Sequence, residues 1–260
     1  MTDSEPVDVD GGDATGGTLI ALRHGESVAN AAQRFTGRHD VDLTDRGQAQ
    51  ARRAAELIAA ALDPPDVIIS SPMIRAIRTA RIVQAELGLD HCEIELSWRL
   101  VERDYGCLTG MSKRSARDLL GPERFVTWRR TLHGMPPPAD PVAASSWDSY
   151  HEPDSGLSTP GAGESLHDVI GRVRPAWLHL IDLLRVGRTV LVVAHGNSLR
   201  ALCALIDDLD EDEVTALNLP PGQPLVYRWT PSGPRPRGGR YLDPDTALVD
   251  TARIAREGGT

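Results

Sequence analysis

Two stretches decide how this chain folds: Leu19-Ile20-Ala21-Leu22-Arg23-His24-Gly25-Glu26-Ser27 and Val190-Leu191-Val192-Val193-Ala194-His195-Gly196-Asn197-Ser198. Each is a short apolar run ending in His-Gly and bounded by polar residues, the pattern of a buried strand. As parallel strands of one sheet, both would deliver a histidine to the same carboxyl edge, where open α/β sheets bind ligands. Either pair alone reads first as a strand-end histidine satisfied by a backbone bond, because short motifs are weak. The repetition carries the inference and makes His24 and His195 the leading candidate site residues.

Outward from these runs, strands alternate with helices. Gly47 to Leu62 sets Ala54, Leu57, Ile58, Ala61 and Leu62 on one helical face, and Pro64-Pro65 ends it. Val67-Ile68-Ile69-Ser70 reads as a strand, Ile74 to Leu87 as a helix, and Glu93 to Leu96 as a short strand. Ser165 to Leu184 reads as a helix feeding the strand Thr189 to Ala194, and Asn197 to Ile206 as the helix after it. This alternation predicts an α/β fold with a mostly parallel sheet. Leu225 to Trp229 is expected as the last strand. After it, Pro231-Ser232-Gly233-Pro234 opens a polar tail, partly helical from Asp245.

Residues 1–17 are rich in Asp, Gly and Thr and are expected to be a disordered leader. That leaves a catalytic domain over 18–241 and a C-terminal tail over 242–260. From about 108 to 163 the apolar periodicity weakens, and Pro136-Pro137-Pro138 excludes regular helix or central strand locally. An insertion of this length inside an α/β domain is expected to be a lid or binding loop.

With 260 residues, 40% apolar and 25% charged, the composition is that of an ordinary globular protein. The net charge of −9 argues against a nucleic-acid partner. No apolar run approaches a membrane span, and the acidic start lacks a signal peptide's basic and apolar regions, so a cytoplasmic protein is expected. Cys92, Cys107 and Cys203 lack the spacing of a disulfide framework or a zinc site.

The chemistry of these residues suits phosphoryl transfer. A histidine that takes a phosphoryl group must be neutral with one ring nitrogen available, which a backbone carbonyl on the other nitrogen arranges. The transferring group carries negative charge, so Arg23 beside His24 and Arg75 just past the Val67 strand would stabilise it, with His195 protonated or donating a hydrogen bond. Arg78 and Arg81 lie further from the edge and are expected in solvent. Glu102 is the candidate proton carrier, and Asp104, two residues on, would share its side of an extended segment and act on its ionisation. Lys113 with Trp128-Arg129-Arg130 supplies a cationic clamp for a phosphate or carboxylate, or else a surface basic patch. Asn197 serves either as the cap of the helix it precedes or as a ligand contact.

Assembled, these residues resemble the cofactor-dependent phosphoglycerate mutases of the histidine phosphatase superfamily. The matches run from Leu22 to Asn30 through Arg34-Phe35-Thr36-Gly37, Asp40 to Leu43, Arg75-Ala76-Ile77-Arg78-Thr79, Glu102-Arg103, Tyr105-Gly106, Leu108-Thr109-Gly110, Trp128-Arg129-Arg130, Glu164-Ser165-Leu166 and Ala194 to Leu202, ending at Leu217-Asn218-Leu219-Pro220. The resemblance implies a three-layer α/β/α sandwich around a mostly parallel mixed sheet, and an isomerase of glycolysis and gluconeogenesis. It implies that His24 is the phosphorylated nucleophile, Glu102 the proton donor and acceptor, and His195, Arg23 and Arg75 the stabilisers of the phosphoryl group. Substrate contacts are implied for Asn30, Thr36, Gly37, Arg103, Tyr105, Lys113, Arg129, Arg130, Gly196 and Asn197. It further implies 2,3-bisphosphoglycerate as the priming phosphoryl donor, no metal, a small phosphorylated substrate and a homodimer or homotetramer. The alternative is a phosphatase that hydrolyses a small phosphoester through the same phosphohistidine. This chain departs from the family pattern at Arg38, where a tryptophan is usual, at Asp104, where a histidine is usual, and in the shorter stretch 139–163.

Overall fold

The structure, a computed structural model, describes residues 16–145, 147, 157 and 159–256. In chain order the elements are β1 (Thr18–Arg23), α1 (Val28–Ala31), α2 (Asp45–Ala61), β2 (Val67–Ser70), α3 (Ile74–Glu86) and β3 (Ile94–Leu96). Then come α4 (Lys113–Leu120), α5 (Pro122–Arg130), α6 (Pro141–Ala144), α7 (Leu166–Arg185), β4 (Thr189–Ala194), α8 (Gly196–Asp207), α9 (Glu211–Ala216), β5 (Leu225–Thr230), β6 (Gly233–Tyr241) and α10 (Pro244–Arg256). Residues 1–15 of the expected leader, and 146, 148–156 and 158 of the insertion, lie outside the described residues.

The six strands form one sheet in the order β3-β2-β4-β1-β5-β6. The first four are mutually parallel, and β5 and β6 run antiparallel. Side chains alternate across a strand, so each central strand feeds both faces. Leu19, Ala21, Val190 and Val192 pack beneath α7 and α8, with Leu180 and Leu202. Ile20, Leu22, Leu191 and Val193 meet α2 and α3 through Ile58, Ala76 and Val83. This is the three-layer α/β/α sandwich.

β1 and β4 are adjacent with Arg23 opposite Ala194, so the two histidines leave the sheet side by side. The His24 N–H donates to the Ala194 carbonyl at 3.0 Å, and the Ser71 N–H donates to the Val193 carbonyl at 3.0 Å. Three strand ends are thereby fixed to one another at the carboxyl edge.

One expectation is corrected. β5 is not the last strand: β6 pairs antiparallel with it along the sheet edge. Pro234, Pro236, Gly238 and Gly239 hide this strand in the sequence, and an edge position is where a strand tolerates such residues. The helix expected from Asp245 is α10, which buries Ala247 and Ile254. A small core joins the insertion to the rest of the domain. Phe35, Tyr105, Leu108, Ala116 and Phe125 cluster beneath α4 and α5, and Phe35 and Tyr105 also line the chamber that His24 lines.

Candidate active site

His24 sits where β1 ends, completely enclosed. Its Nδ1 lies 2.7 Å from the Gly25 carbonyl, which leaves Nε2 as the reacting nitrogen. Burial first, then the Arg75 and Arg23 charges, hold the imidazole well below its usual ionisation range, so it is neutral near pH 7. Gly25 permits this turn. A Cβ there would stand 2.1 Å from the Gly47 carbonyl oxygen, so the loop presses directly on the start of α2.

His195 stands opposite, the two ring centroids 5.0 Å apart at 62°. Its Nε2 lies 2.8 Å from the Ser71 hydroxyl, and its buried Nδ1 has no hydrogen-bond partner among the described residues. Burial, then Arg75, His24 and Arg23, also push this imidazole well below its usual range. Of the two forms expected for His195, protonated or hydrogen-bond-donating, enclosure and the surrounding guanidinium groups favour the neutral, donating ring. If Ser71 donates to Nε2, a neutral His195 presents an Nδ1–H donor.

Arg75, at the start of α3, is also fully buried. It donates to the carbonyls of His39 (3.1 Å) and Gly37 (3.2 Å) and lies 3.9 Å from Asp40. Burial pushes it down to about 10, with Glu102 and Asp40 opposing, so it keeps its charge at neutral pH. Arg23 is anchored by its Nη1 on the Leu219 carbonyl at 2.8 Å. Arg78, by contrast, is half-exposed and paired with Asp42.

Glu102 is held by the amino end of α8. Its Oε1 accepts from Asn197 N at 3.1 Å, Asn197 Nδ2 at 3.2 Å and Arg103 N at 2.8 Å. Aligned N–H groups at a helix start favour an anion there. His195, not Asn197, occupies the cap position, because the helix begins at Gly196. Asn197 instead bridges Glu102 and the Tyr105 hydroxyl, 2.9 Å from its Nδ2, while Arg200 grips its other end at 3.0 Å.

The chamber is lined by Arg23, His24, Asn30, Thr36, Gly37, Arg75, Glu102, Tyr105, Lys113 and Arg129 of the expected residues, together with Arg34 and Phe35. Its lining carries five cations (Arg23, Arg34, Arg75, Lys113, Arg129) against the single carboxylate of Glu102. Gly37 adopts φ +51°, and a Cβ there would meet Thr109 Oγ1 at 2.9 Å. His195, Gly196, Asn197, Arg103 and Arg130 do not line the chamber.

Arg103 is wholly buried and donates to the carbonyls of Glu164, Arg129, Trp128 and Gly134 at 2.6–3.1 Å. Through these four carbonyls it knits the insertion to the Glu102 loop. Arg130 reaches the carbonyls of Thr215 and Leu217. The expected influence of Asp104 on Glu102 is also corrected. The Asp104 carboxylate turns away to accept from Gly106 N (2.8 Å) and Gly161 N (2.7 Å). Desolvation raises its pKa, and the charges it feels include Glu164 and the buried Arg38. The two departures from the family pattern, Arg38 and Asp104, thus lie in one electrostatic neighbourhood. Sequence reasoning missed Ser71, although the same strand-edge argument that found Arg75 applies to it. Glu164, part of the Glu164-Ser165-Leu166 match to the family but given no role from the sequence, pairs with Arg172 at 2.8 Å behind the Glu102 loop.

The family model of the histidine phosphatase superfamily (branch 1) matches residues 19–238. The chain belongs to this superfamily. As a superfamily member it is 44% identical over 246 residues to the 2,3-bisphosphoglycerate-dependent phosphoglycerate mutase of Thermobifida fusca, covering 93% of this chain and 99% of that one. It is 44% identical over 251 residues to the mutase of that name from Mycobacterium tuberculosis, covering 94% and 99%. Among solved structures, mycobacterial glucosyl-3-phosphoglycerate phosphatase complexed with VO3 aligns with a TM-score of 0.63 at 26% identity, over 81% of this chain and 90% of that one. Among the described residues of this superfamily member, no group of three or more His, Cys, Asp or Glu could hold a metal ion, and no helix is long and apolar enough to cross a membrane.

Proposed function

We propose that this protein interconverts 3-phosphoglycerate and 2-phosphoglycerate through a phosphohistidine at His24, primed by 2,3-bisphosphoglycerate. The observation that carries the reading is the neutral, enclosed His24 with Nδ1 on a carbonyl and Nε2 left to react, in a chamber of five cations and one carboxylate. That donor set fits a bisphosphorylated acid, whose role is to supply the first phosphoryl group. The near full-length similarity to mutases supports the choice of reaction over phosphoester hydrolysis.

In the transfer step Glu102 accepts the proton of the substrate hydroxyl as its oxygen attacks phosphorus. The phosphorus–oxygen bond forms, the His24 Nε2–phosphorus bond breaks, and the ring returns to neutral. Arg23, Arg75 and the His195 donor hold the charge spread over the equatorial oxygens. In the return step Nε2 attacks the other phosphoryl group, and Glu102 gives its proton back to the leaving oxygen, so protons and phosphoryl groups balance. Thr36, Gly37, Tyr105, Lys113 and Arg129 hold the remainder of the substrate, and Asn30 the phosphoryl group. Asn197 acts by positioning Glu102. A mutase must also exclude water from the phosphohistidine.

A glycolytic role goes with a cytoplasmic location and a small-molecule partner. The chain is proposed to work as a homodimer or homotetramer; light scattering of the purified protein tests this. The function itself is tested by a time course with 3-phosphoglycerate, with and without priming by 2,3-bisphosphoglycerate. Priming-dependent 2-phosphoglycerate with little phosphate release is expected. Phosphate release without isomer would favour the phosphatase reading and overturn the mutase.

A further inference from the structure

Arg200, in α8, is fully buried and does not line the phosphoryl chamber. Burial first, then the Arg130 charge, pushes its pKa down to about 9, so it stays charged at neutral pH. A buried cation is costly unless an anion pairs with it. The partners of Arg200 among the described residues are all neutral: Asn197 Oδ1 at 3.0 Å, and the carbonyls of Arg130 at 3.2 Å and Val214 at 2.6 Å. The carboxylate it serves lies one residue further, through Asn197.

A guanidinium only donates, so Asn197 must turn Oδ1 toward Arg200 and Nδ2 away from it. The two Nδ2 hydrogens then go to Glu102 Oε1 at 3.2 Å and to the Tyr105 hydroxyl oxygen at 2.9 Å. The amide stands between a cation and a carboxylate with its dipole aligned to both, which strengthens each bond of the chain. Together with the backbone N–H groups of Arg103 and Asn197, three donors converge on Oε1. Glu102 lines the chamber, and its Oε2 carries no hydrogen bond among the described residues. Tyr105, accepting from Asn197, keeps its own hydrogen for a substrate oxygen.

We propose that Arg200 is a positioning residue: by fixing the direction of the Asn197 amide it anchors Oε1 of Glu102 and makes Oε2 the oxygen that gives and takes the proton. The inference rests on the phosphohistidine reading and deepens it. When a bisphosphate phosphorylates His24, the Nε2–phosphorus bond forms, the bond from phosphorus to the ester oxygen breaks, and Oε2 delivers its proton to that leaving oxygen. Without Arg200 the amide turns over, its oxygen meets the carboxylate, and Glu102 loses its anchor.

An acyl phosphate needs no such proton, because its carboxylate leaves as a stable anion. The test therefore measures single-turnover phosphorylation of His24 by 2,3-bisphosphoglycerate and by acetyl phosphate, in the wild type and in Arg200→Met. The variant is expected to react about tenfold more slowly, or slower still, with the bisphosphate, and within about twofold of wild type with acetyl phosphate. A loosened fold would slow both. Arg200→Lys keeps the charge but cannot fork across the three acceptors. It stands in should Arg200→Met fail to fold, with the same split and a smaller loss expected. In an Asn197→Ala background neither substitution should slow the bisphosphate reaction further, since the effect runs through that amide. Equal slowing with both donors, no slowing with either, or a further loss in the Asn197→Ala background overturns the positioning role and leaves His24 as the nucleophile. A wild type that neither donor phosphorylates overturns the phosphohistidine reading itself.

Discussion

At the scale of single residues, the site depends on two imidazoles kept neutral by burial and by neighbouring guanidinium groups. That arrangement has a thermodynamic consequence. In the unfolded chain both histidines take up protons below their ordinary 6.5, whereas the folded, enclosed rings do not. The unfolded state therefore binds more protons as pH falls, and folding stability drops with it. Each such ring contributes a slope of up to about 1.4 kcal/mol per pH unit below 6.5. Thermal unfolding followed from pH 7 to pH 5 should show this decline, and His24→Gln should make it shallower. An identical pH slope in the variant would contradict the buried, neutral assignment. His24 and Arg75 were legible in the sequence because strand ends and the residues just beyond them are placed by the sheet, and Glu102 because the chemistry calls for a carboxyl group as proton carrier. The neutral state of His195 was not, since it comes from burial first and then from charges that only the folded chain brings near. For the same reason the sequence invites the wrong role for Asp104: adjacency along an extended segment does not say which backbone N–H groups will claim its carboxylate.

At the scale of elements, the decisive contact is the His24 loop against the start of α2. Gly47 lies within that helix, where Ala would ordinarily stabilise by about 0.5–1 kcal/mol. A Cβ at Gly47 would, however, fall 2.1 Å from the Glu26 carbonyl oxygen, a backbone atom with little freedom to retreat. Overpacking of this kind costs about 1–3 kcal/mol, so the clash outweighs the propensity. Gly47→Ala is expected to lower the melting temperature and slow His24 phosphorylation together. A variant more stable than wild type with normal phosphorylation would show that the contact does not position the loop. The helices and central strands were legible from apolar period alone. β6 was not, because a Pro- and Gly-rich edge strand is specified by its pairing with β5 rather than by its own composition. Nor was the small core under α4 and α5, which draws Phe35 and Tyr105 from outside the insertion.

At the scale of the whole molecule, one sheet brings His24, His195, Ser71 and Arg75 to a single edge, and the opening of α8 turns Glu102 toward them. The cationic chamber stands out against the acidic balance of the chain as a whole, and that contrast draws an anion inward. Arg103 and Asp104 tie the insertion to the loop that carries Glu102, so hydrogen bonds join the wall of the chamber to its proton carrier. The twin His-Gly runs thus have unequal tasks, one ring reacting and the other supporting. The most direct test is to incubate the protein with 2,3-bisphosphoglycerate, trap it under alkaline conditions, and locate the phosphorus by peptide mass spectrometry and phosphorus NMR. One phosphoryl group on Nε2 of His24 is the predicted result; phosphorus on Nδ1, on another residue, or on none would contradict it.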